Sequence, residues 1–242
     1  MFFILNKPKI YSYLIVLSTV VILFFTAEVL SEANNLEILE TATQTFDIQD
    51  NIINKFNTET KEIAITINCV GSNDNIEEIL QILEKYEVKA NFGISGEWVK
   101  QYPEQTKKIY KRGNGIIVLL EEINSLDYRQ TDRTVEEELN KINKLLNSNI
   151  KLIRSTYGEY NDNITKLAID KGYKIIGLGI DTLDYQGLEE NVIWDNIKNK
   201  IMKGDIISMN SNAENIADEL EIVINSLKER EYGLVCLEDK IY

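Results

Sequence analysis

Histidine is absent from this 242-residue chain. Imidazole is the commonest metal ligand and the usual acid or base near neutral pH. Its absence excludes His-based zinc sites, Ser-His-Asp triads and Cys-His dyads before any motif is weighed. Cysteine is scarce too. Only Cys69 and Cys236 occur, so neither a disulfide framework nor a CxxC zinc tetrad supports the fold. An oxidising compartment permits a bridge between them, but both lie in apolar, strand-like runs and read better as structural thiols. Basic residues are also short: 26 Lys and Arg stand against 39 Asp and Glu, a formal net charge of -13. That balance argues against nucleic acid and against anionic lipid or wall polymer. A neutral or positively charged glycan is not repelled. No GxGxxG follows the first strand and no GxxxxGK[ST] occurs, so dinucleotide and nucleotide-phosphate sites have no support.

One long apolar run is present. Residues 10–27, IYSYLIVLSTVVILFFTA, carry no charge, and as a helix they extend about 27 Å, enough to span a bilayer core. Lys7 and Lys9 precede the run, and Glu28 and Glu32 follow it. The positive-inside rule then leaves residues 1–9 as a cytoplasmic tail and the main domain outside. Small residues at Ser31 and Ala33 make cleavage after Ala33 the alternative, but the run is longer than a signal-peptide core, so an uncleaved anchor is favoured. Residues 28–60, rich in Asn, Thr, Glu and Gln, read as a juxtamembrane stalk with one short helix around Asn34–Thr43.

From Lys61 to residue 242, short apolar runs alternate with amphipathic stretches. Strands are expected at Ile63–Ile67, Val88–Phe92, Gly115–Leu120, Leu152–Ile153, Tyr173–Ile180, Ile206–Met209 and Leu234–Leu237. Helices are expected at Ile76–Tyr86, capped by Asp74 or Asn75, and at Pro103–Lys111, Val135–Leu146, Asn163–Asp170 and Ala213–Arg230. For the third of these, Asp132 or Thr134 is the expected cap. The alternation indicates βαβ units and a parallel sheet, and seven strands in one run fit a distorted (β/α)7 barrel. In such folds functional residues collect at the carboxyl ends of the strands. Those ends carry Asn68 and Cys69, Leu119 to Glu122, Arg154 to Glu159, Asp181 to Tyr185, and Asn210.

These five positions resemble the five motifs of the polysaccharide deacetylases, the NodB-homology or carbohydrate esterase family 4 fold. Arg154-Ser-Thr-Tyr-Gly-Glu-Tyr-Asn161 is similar to the family's Arg-Pro-Pro-Tyr-Gly-x-Tyr-Asn, and Ile180-Asp-Thr-Leu-Asp-Tyr-Gln-Gly187 to its Val-Asp-Ser-x-Asp-Trp-x-Gly. Val88-Lys-Ala-Asn-Phe92, with Gly96-Glu-Trp-Val and Tyr102-Pro-Glu, resembles its Val-Lys-Ala-Thr-Phe-Phe stretch. Gly204-Asp-Ile-Ile-Ser-Met-Asn210 resembles its Gly-Ser-Ile-Ile-Leu-x-His. The likeness runs in order over about residues 61–241 and is nearest the membrane-anchored sporulation subgroup.

The resemblance implies removal of an N-acetyl group from an amino sugar. An Asp base activates water, a metal such as zinc held by an Asp and two His polarises the carbonyl, and a third His protonates the amine. Position by position, this chain departs from that set. The base falls on Asn68, the metal ligands on Cys69, Leu119 and Ile123, and the general acid on Asn210. The reading is therefore a pseudoenzyme with no cofactor, in which Asn68, Arg154, Asp181 and Asn210 are remnants of a catalytic site. Tyr157, Gly158, Asp184 and Tyr185 would line a cleft for peptidoglycan or a chitooligosaccharide-like glycan. A membrane-bound protein-interaction scaffold and a divergent active N-deacetylase are the alternatives.

Arg154 keeps its place in the motif, and a buried guanidinium needs a counter-charge, so an ion pair to Asp181 or Asp184 is expected. By the resemblance, the Tyr157–Gly158 turn offers a backbone amide to an acetyl oxygen, or simply keeps the turn. Gly177 and Gly179 share a strand face with Asp181, leaving room for a ligand or for close backbone packing. Glu121, Glu122, Asp127 and Glu159 are a weak candidate for an all-oxygen cation site, a solvated face being commoner. Cys69 lacks a base that would make it a nucleophile. Tyr185, Trp98 and Trp194 are candidates for a sugar platform, although core packing is the more frequent fate.

Overall fold

The run EIAITIN at Glu62–Asn68 is buried from Ile63 onward on both of its faces, as expected of a central parallel strand covered on two sides. In the computed structural model, which describes residues 51–72, 75–121, 123–187 and 190–241, this strand is β2. The others are β1 (Ile52–Ile53), β3 (Asn91–Ile94), β4 (Gly115–Leu120), β5 (Leu152–Ser155), β6 (Lys174–Ile176), β7 (Ile180–Asp181), β8 (Ile206–Asn210) and β9 (Gly233–Leu234). The sheet order is β1-β6-β5-β4-β3-β2-β8-β7, with β9 added to the start of β2, and every strand pairing is parallel. This is a parallel-strand half-barrel. Its gap is crossed by residues 52–56: Ile53 O accepts from Gly177 N at 2.9 Å, and Phe56 N donates to Gly204 O at 2.8 Å just before β8.

Strand periodicity sorts the side chains into two layers. Ile63, Ile65 and Ile67 of β2 point outward into a large cluster with the helices. These are α1 (Ile76–Lys85), α2 (Gly96–Gln101), α3 (Pro103–Lys111), α4 (Tyr128–Leu146), α5 (Asp162–Lys171), α6 (Glu190–Ile197), α7 (Ile216–Glu229) and α8 (Glu238–Ile241). Ala64, Thr66 and Asn68 form the other series. Ala64 belongs to an interior cluster with Phe56, Ile117, Leu152, Ile176, Ile206 and Leu237. Pairing sets the levels above that floor: Thr66 lies beside Ser208, Asn68 beside Asn210, and Leu119 beside Arg154. The barrel interior is thus apolar at its amino end and polar toward its carboxyl end.

Several expectations need correction. Residues 51–60 do not end a stalk: β1 lies in the sheet, and Lys55 forms an ion pair with Asp205 at 3.2 Å. The expected strand Tyr173–Ile180 is two short strands. Gly179 has φ +62°, and a Cβ there would stand 2.2 Å from Ile206 O, so the backbone breaks where it presses against β8. That close approach, rather than room for a ligand, accounts for the glycine. A Cβ on Gly177 would likewise meet Asn54 Oδ1 at 1.9 Å. The helix expected from Val135 begins at Tyr128, because Asp127 and Gln130 form a reciprocal capping box ahead of Asp132 and Thr134. Asn75 occupies the N-cap of α1, but its amide donates to Ser211 O at 2.9 Å. The last strand stops at Leu234, since Leu237 turns in to plug the floor, its N–H bonded to Asn91 Oδ1 at 2.9 Å. α2, α6 and α8 were not expected. Residues 1–50, with the tail, the anchor at 10–27, the Ala33 site and the Asn34–Thr43 helix, lie outside the described residues. Among the described residues no helix is long and apolar enough to cross a membrane.

Candidate functional site

Arg154, on β5, is fully buried at the centre of the polar level. Its Nη1 donates to Thr66 Oγ1 at 2.9 Å and to Asn68 Oδ1 at 3.0 Å. Nε donates to Ile176 O at 3.2 Å, and Nη2 to Gly177 O at 2.7 Å. The expected ion pair is therefore corrected: all four acceptors are neutral. The physical reason is the break after β6, which turns the carbonyls of Ile176 and Gly177 toward the guanidinium fork. Burial lowers Arg154 to about 10, opposed by the charges of Tyr160 and Asp181, which leaves it protonated at neutral pH.

Asp184 has another partner. One oxygen accepts from Asn210 N and the other from Asn210 Nδ2, both at 2.7 Å. Burial raises its pKa above the ordinary aspartate value, partly offset by those bonds. Asn68 Nδ2 in turn reaches Asn210 Oδ1 at 3.5 Å. Arg154, Asn68, Asn210 and Asp184 thus form one relay, every link donating in the same direction, with a buried cation at one end and a buried anion at the other. Asp181 stands apart, half-buried, accepting from Leu183 N at 3.0 Å.

Two adjoining cavities open above the relay. One, of about 310 Å³, is lined by Asn68, Leu178, Asp181, Tyr185, Ser208, Asn210 and Asn212. The other, of about 290 Å³, is lined by Cys69, Ser95, Glu97, Trp98, Leu119 and Glu121. Val70, Thr156 and Tyr157 border both. Tyr157 and Tyr185 are exposed at the rim, 76% and 57%. Trp98, by contrast, is packed against Tyr102 with ring centroids 5.1 Å apart, and Trp194 against the Arg230 guanidinium at 4.8 Å. Of the three aromatic candidates only Tyr185 is exposed, while Trp98 borders the second cavity from a buried position.

The positions that the family gives to a metal do not fit one. Leu119 and Ile123 are buried hydrocarbon without a lone pair, and Cys69 is buried with its thiol pushed well above the ordinary range by desolvation. That shift also disfavours Cys69 as a nucleophile. Cys236 is likewise a free thiol, raised to about 11 mainly by burial. Among the described residues no three His, Cys, Asp or Glu side chains converge. Glu122 lies outside those residues, and Asp127 is spent as a helix cap.

The turn after β5 holds itself together. Gly158 N donates to Ser155 O at 3.0 Å, and a Cβ on Gly158 (φ +71°) would meet Leu178 at 2.8 Å. Asn161 caps α5 through Ile164 N at 3.1 Å and donates to Ile123 O at 3.3 Å. Thr66, Ser208, Leu178 and Asn212 were missed from the sequence. Alternation along β2 and β8 signals the first two, which share a 3.0 Å hydroxyl contact; nothing local signals Leu178 or Asn212.

Comparison with known proteins gives the following. A family model described as polysaccharide deacetylase matches residues 55–176. The uncharacterized protein YlxY of Bacillus subtilis is 28% identical over 197 residues, 77% of this chain and 59% of its own. A peptidoglycan-N-acetylglucosamine deacetylase of Bacillus cereus is 28% identical over 186 residues, 73% of this chain and 66% of its own. This chain therefore spans just under two thirds of these curated relatives or less. Among solved structures, a CE4 (carbohydrate esterase family 4) pseudoenzyme from Bacillus anthracis gives a TM-score of 0.74 at 24% identity, covering 79% of this chain and 69% of that one. At that identity the likeness speaks for the fold alone.

Proposed function

Since the chain belongs to the polysaccharide deacetylase family, we propose that it is a catalytically silent member which holds an amino-sugar glycan of the peptidoglycan type without hydrolysing it. We place it at the envelope of a spore-forming cell, with the domain outside the cytoplasm and anchored through residues 10–27. The observation that carries the silent reading is the relay. Amide hydrolysis needs a base for water, an electrophile on the carbonyl and an acid for the amine. Asn68 spends its oxygen on Arg154, and its NH2 faces Asn210. Asn210 donates to Asp184 and offers no transferable proton. Asp184, the one carboxylate within the relay, is almost wholly buried, with both oxygens occupied by Asn210. Leu119 and Ile123 supply no ligand for an electrophile. The glycan reading rests on the open double cavity with its two exposed tyrosines, a shape and lining suited to sugar rings.

The test is acetate release from N-acetylated chitooligosaccharide and peptidoglycan by the detergent-solubilised full chain, with zinc and with chelator, alongside cosedimentation with peptidoglycan. No acetate and retention on the polymer are expected. Metal-dependent turnover by the unmodified protein would refute the silent reading. Absence of retention would remove the glycan and leave a protein partner.

A further inference from the structure

The cleft is short of positive charge at its surface. Asp181 faces the cavity that contains Asn68 and Asn210, and the exposed Glu121 faces its neighbour. Glu97 also borders the second cavity but is paired with Lys100 at 3.0 Å. Among the described residues no Lys or Arg side chain lines either cavity. Arg154 lies beneath, its charge met by neutral acceptors and, through the two amides, by Asp184.

A second feature is independent of that charge. Among the described residues Asn210 Oδ1 receives only the 3.5 Å contact from Asn68, the outer limit of a hydrogen bond. A carbonyl acceptor with spare capacity therefore stands in the wall of the same cavity as the Asp181 carboxylate. The exposed ring of Tyr185 borders that cavity and offers a face that attracts cations as well as sugar C–H groups.

We propose that the ligand of this cleft is an amino-sugar glycan bearing free amines, whose ammonium group is held by Asp181 and Asn210 Oδ1. The inference rests on the glycan reading above and deepens it. An ammonium brings three donors and no acceptor, matching the Asp181 carboxylate and the Asn210 carbonyl inside a chain of net charge -13. A neutral acetamido group gains nothing from that field. Free amines are what amide hydrolysis leaves on the sugar, so the protein stands downstream of an active N-deacetylating reaction as a reader of its product.

The test is calorimetric titration of the detergent-solubilised full chain with a glucosamine tetramer and with an N-acetylglucosamine tetramer, at a pH where the amines are charged. The glucosamine tetramer should bind at least about fivefold tighter at low salt, with the advantage shrinking as salt is raised. Asp181→Asn should abolish the preference and Glu121→Gln should reduce it. Glu231→Gln should leave it intact, since Glu231 pairs with Lys61 at the opposite, amino end of β2. Equal or tighter binding of the acetylated tetramer overturns the proposal while leaving glycan binding in place. So does an equal loss in Glu231→Gln, which would mean attraction to overall charge. If neither tetramer binds, the glycan reading itself has failed and this inference falls with it.

Discussion

Replacing Arg154 with alanine would strand part of the relay, and the structure says which part. Ile176 O keeps a donor in Tyr160 Oη at 2.9 Å, and Thr66 Oγ1 keeps Ser208 at 3.0 Å. Among the described residues Gly177 O and Asn68 Oδ1 lose theirs. Each buried acceptor left without a donor costs about 1–3 kcal/mol, and Asp184 loses the charge that balances it through the amides. Release of a buried guanidinium partly offsets these terms. The net loss should fall near the ~3–5 kcal/mol typical of truncating one member of a buried charged pair. For a domain of this size that is a drop in Tm of roughly 6–20 °C.

Urea unfolding of the detergent-solubilised full chain, followed by the fluorescence of Trp98 and Trp194, measures it. The informative comparison is Asp181→Asn. If Arg154 were held by an ion pair to Asp181, both variants would be crippled alike. Among the described residues Asp181 accepts a hydrogen bond only from Leu183 N, and asparagine preserves an acceptor there, so the cost should stay below about 1 kcal/mol. A loss under about 1 kcal/mol in Arg154→Ala, or matching losses in the two variants, would refute the relay as the guanidinium's support.

Two further outcomes are expected. Because burial holds the folded Asp184 carboxyl above its ordinary value of 3.8, the native state takes up its proton first. Wild type should therefore gain stability relative to Asp184→Asn as pH falls toward 3.8, and a gap that widens in favour of wild type as pH rises would contradict this. Separately, surface protease or a membrane-impermeant label should reach the domain in opened cells, and protection of the C-terminus together with cytoplasmic markers would sink the proposed topology.

The sequence is a good guide where side chains carry the information. The alternation Ile63-Ala64-Ile65-Thr66-Ile67-Asn68 announces a strand with one outward and one inward series, and the segment Arg154–Asn161 marks the turn that borders both cavities. It is a poor guide where the backbone supplies the chemistry. The carbonyls of Ile176 and Gly177 have no signature in residue identity, so a rule that buried cations need carboxylates points to the wrong partners for Arg154. Short elements are hidden for a similar reason. β1 is two residues long and is stabilised by β6, more than a hundred positions away, and α8 exists because Leu237 is drawn into the floor.

The relay also explains why Asn68 and Asn210 belong together. A carboxylate can only accept and a guanidinium can only donate, so the two ends fix how both amides point. Asp184 takes the NH2 of Asn210 and turns its oxygen toward residue 68; Arg154 takes the oxygen of Asn68 and turns its NH2 toward residue 210. Putting aspartate at 68 alone would return a base beside Arg154 but set its second oxygen against the Asn210 carbonyl, acceptor facing acceptor. Relief requires a donor at 210, the role of the histidine that the family resemblance places there. Neither position can recover family chemistry without the other, and the apolar Leu119 and Ile123 would still leave a metal without ligands. On the function proposed above, the pair of asparagines keeps a charged barrel interior folded while disconnecting it from proton transfer, and the cleft serves as a binding surface.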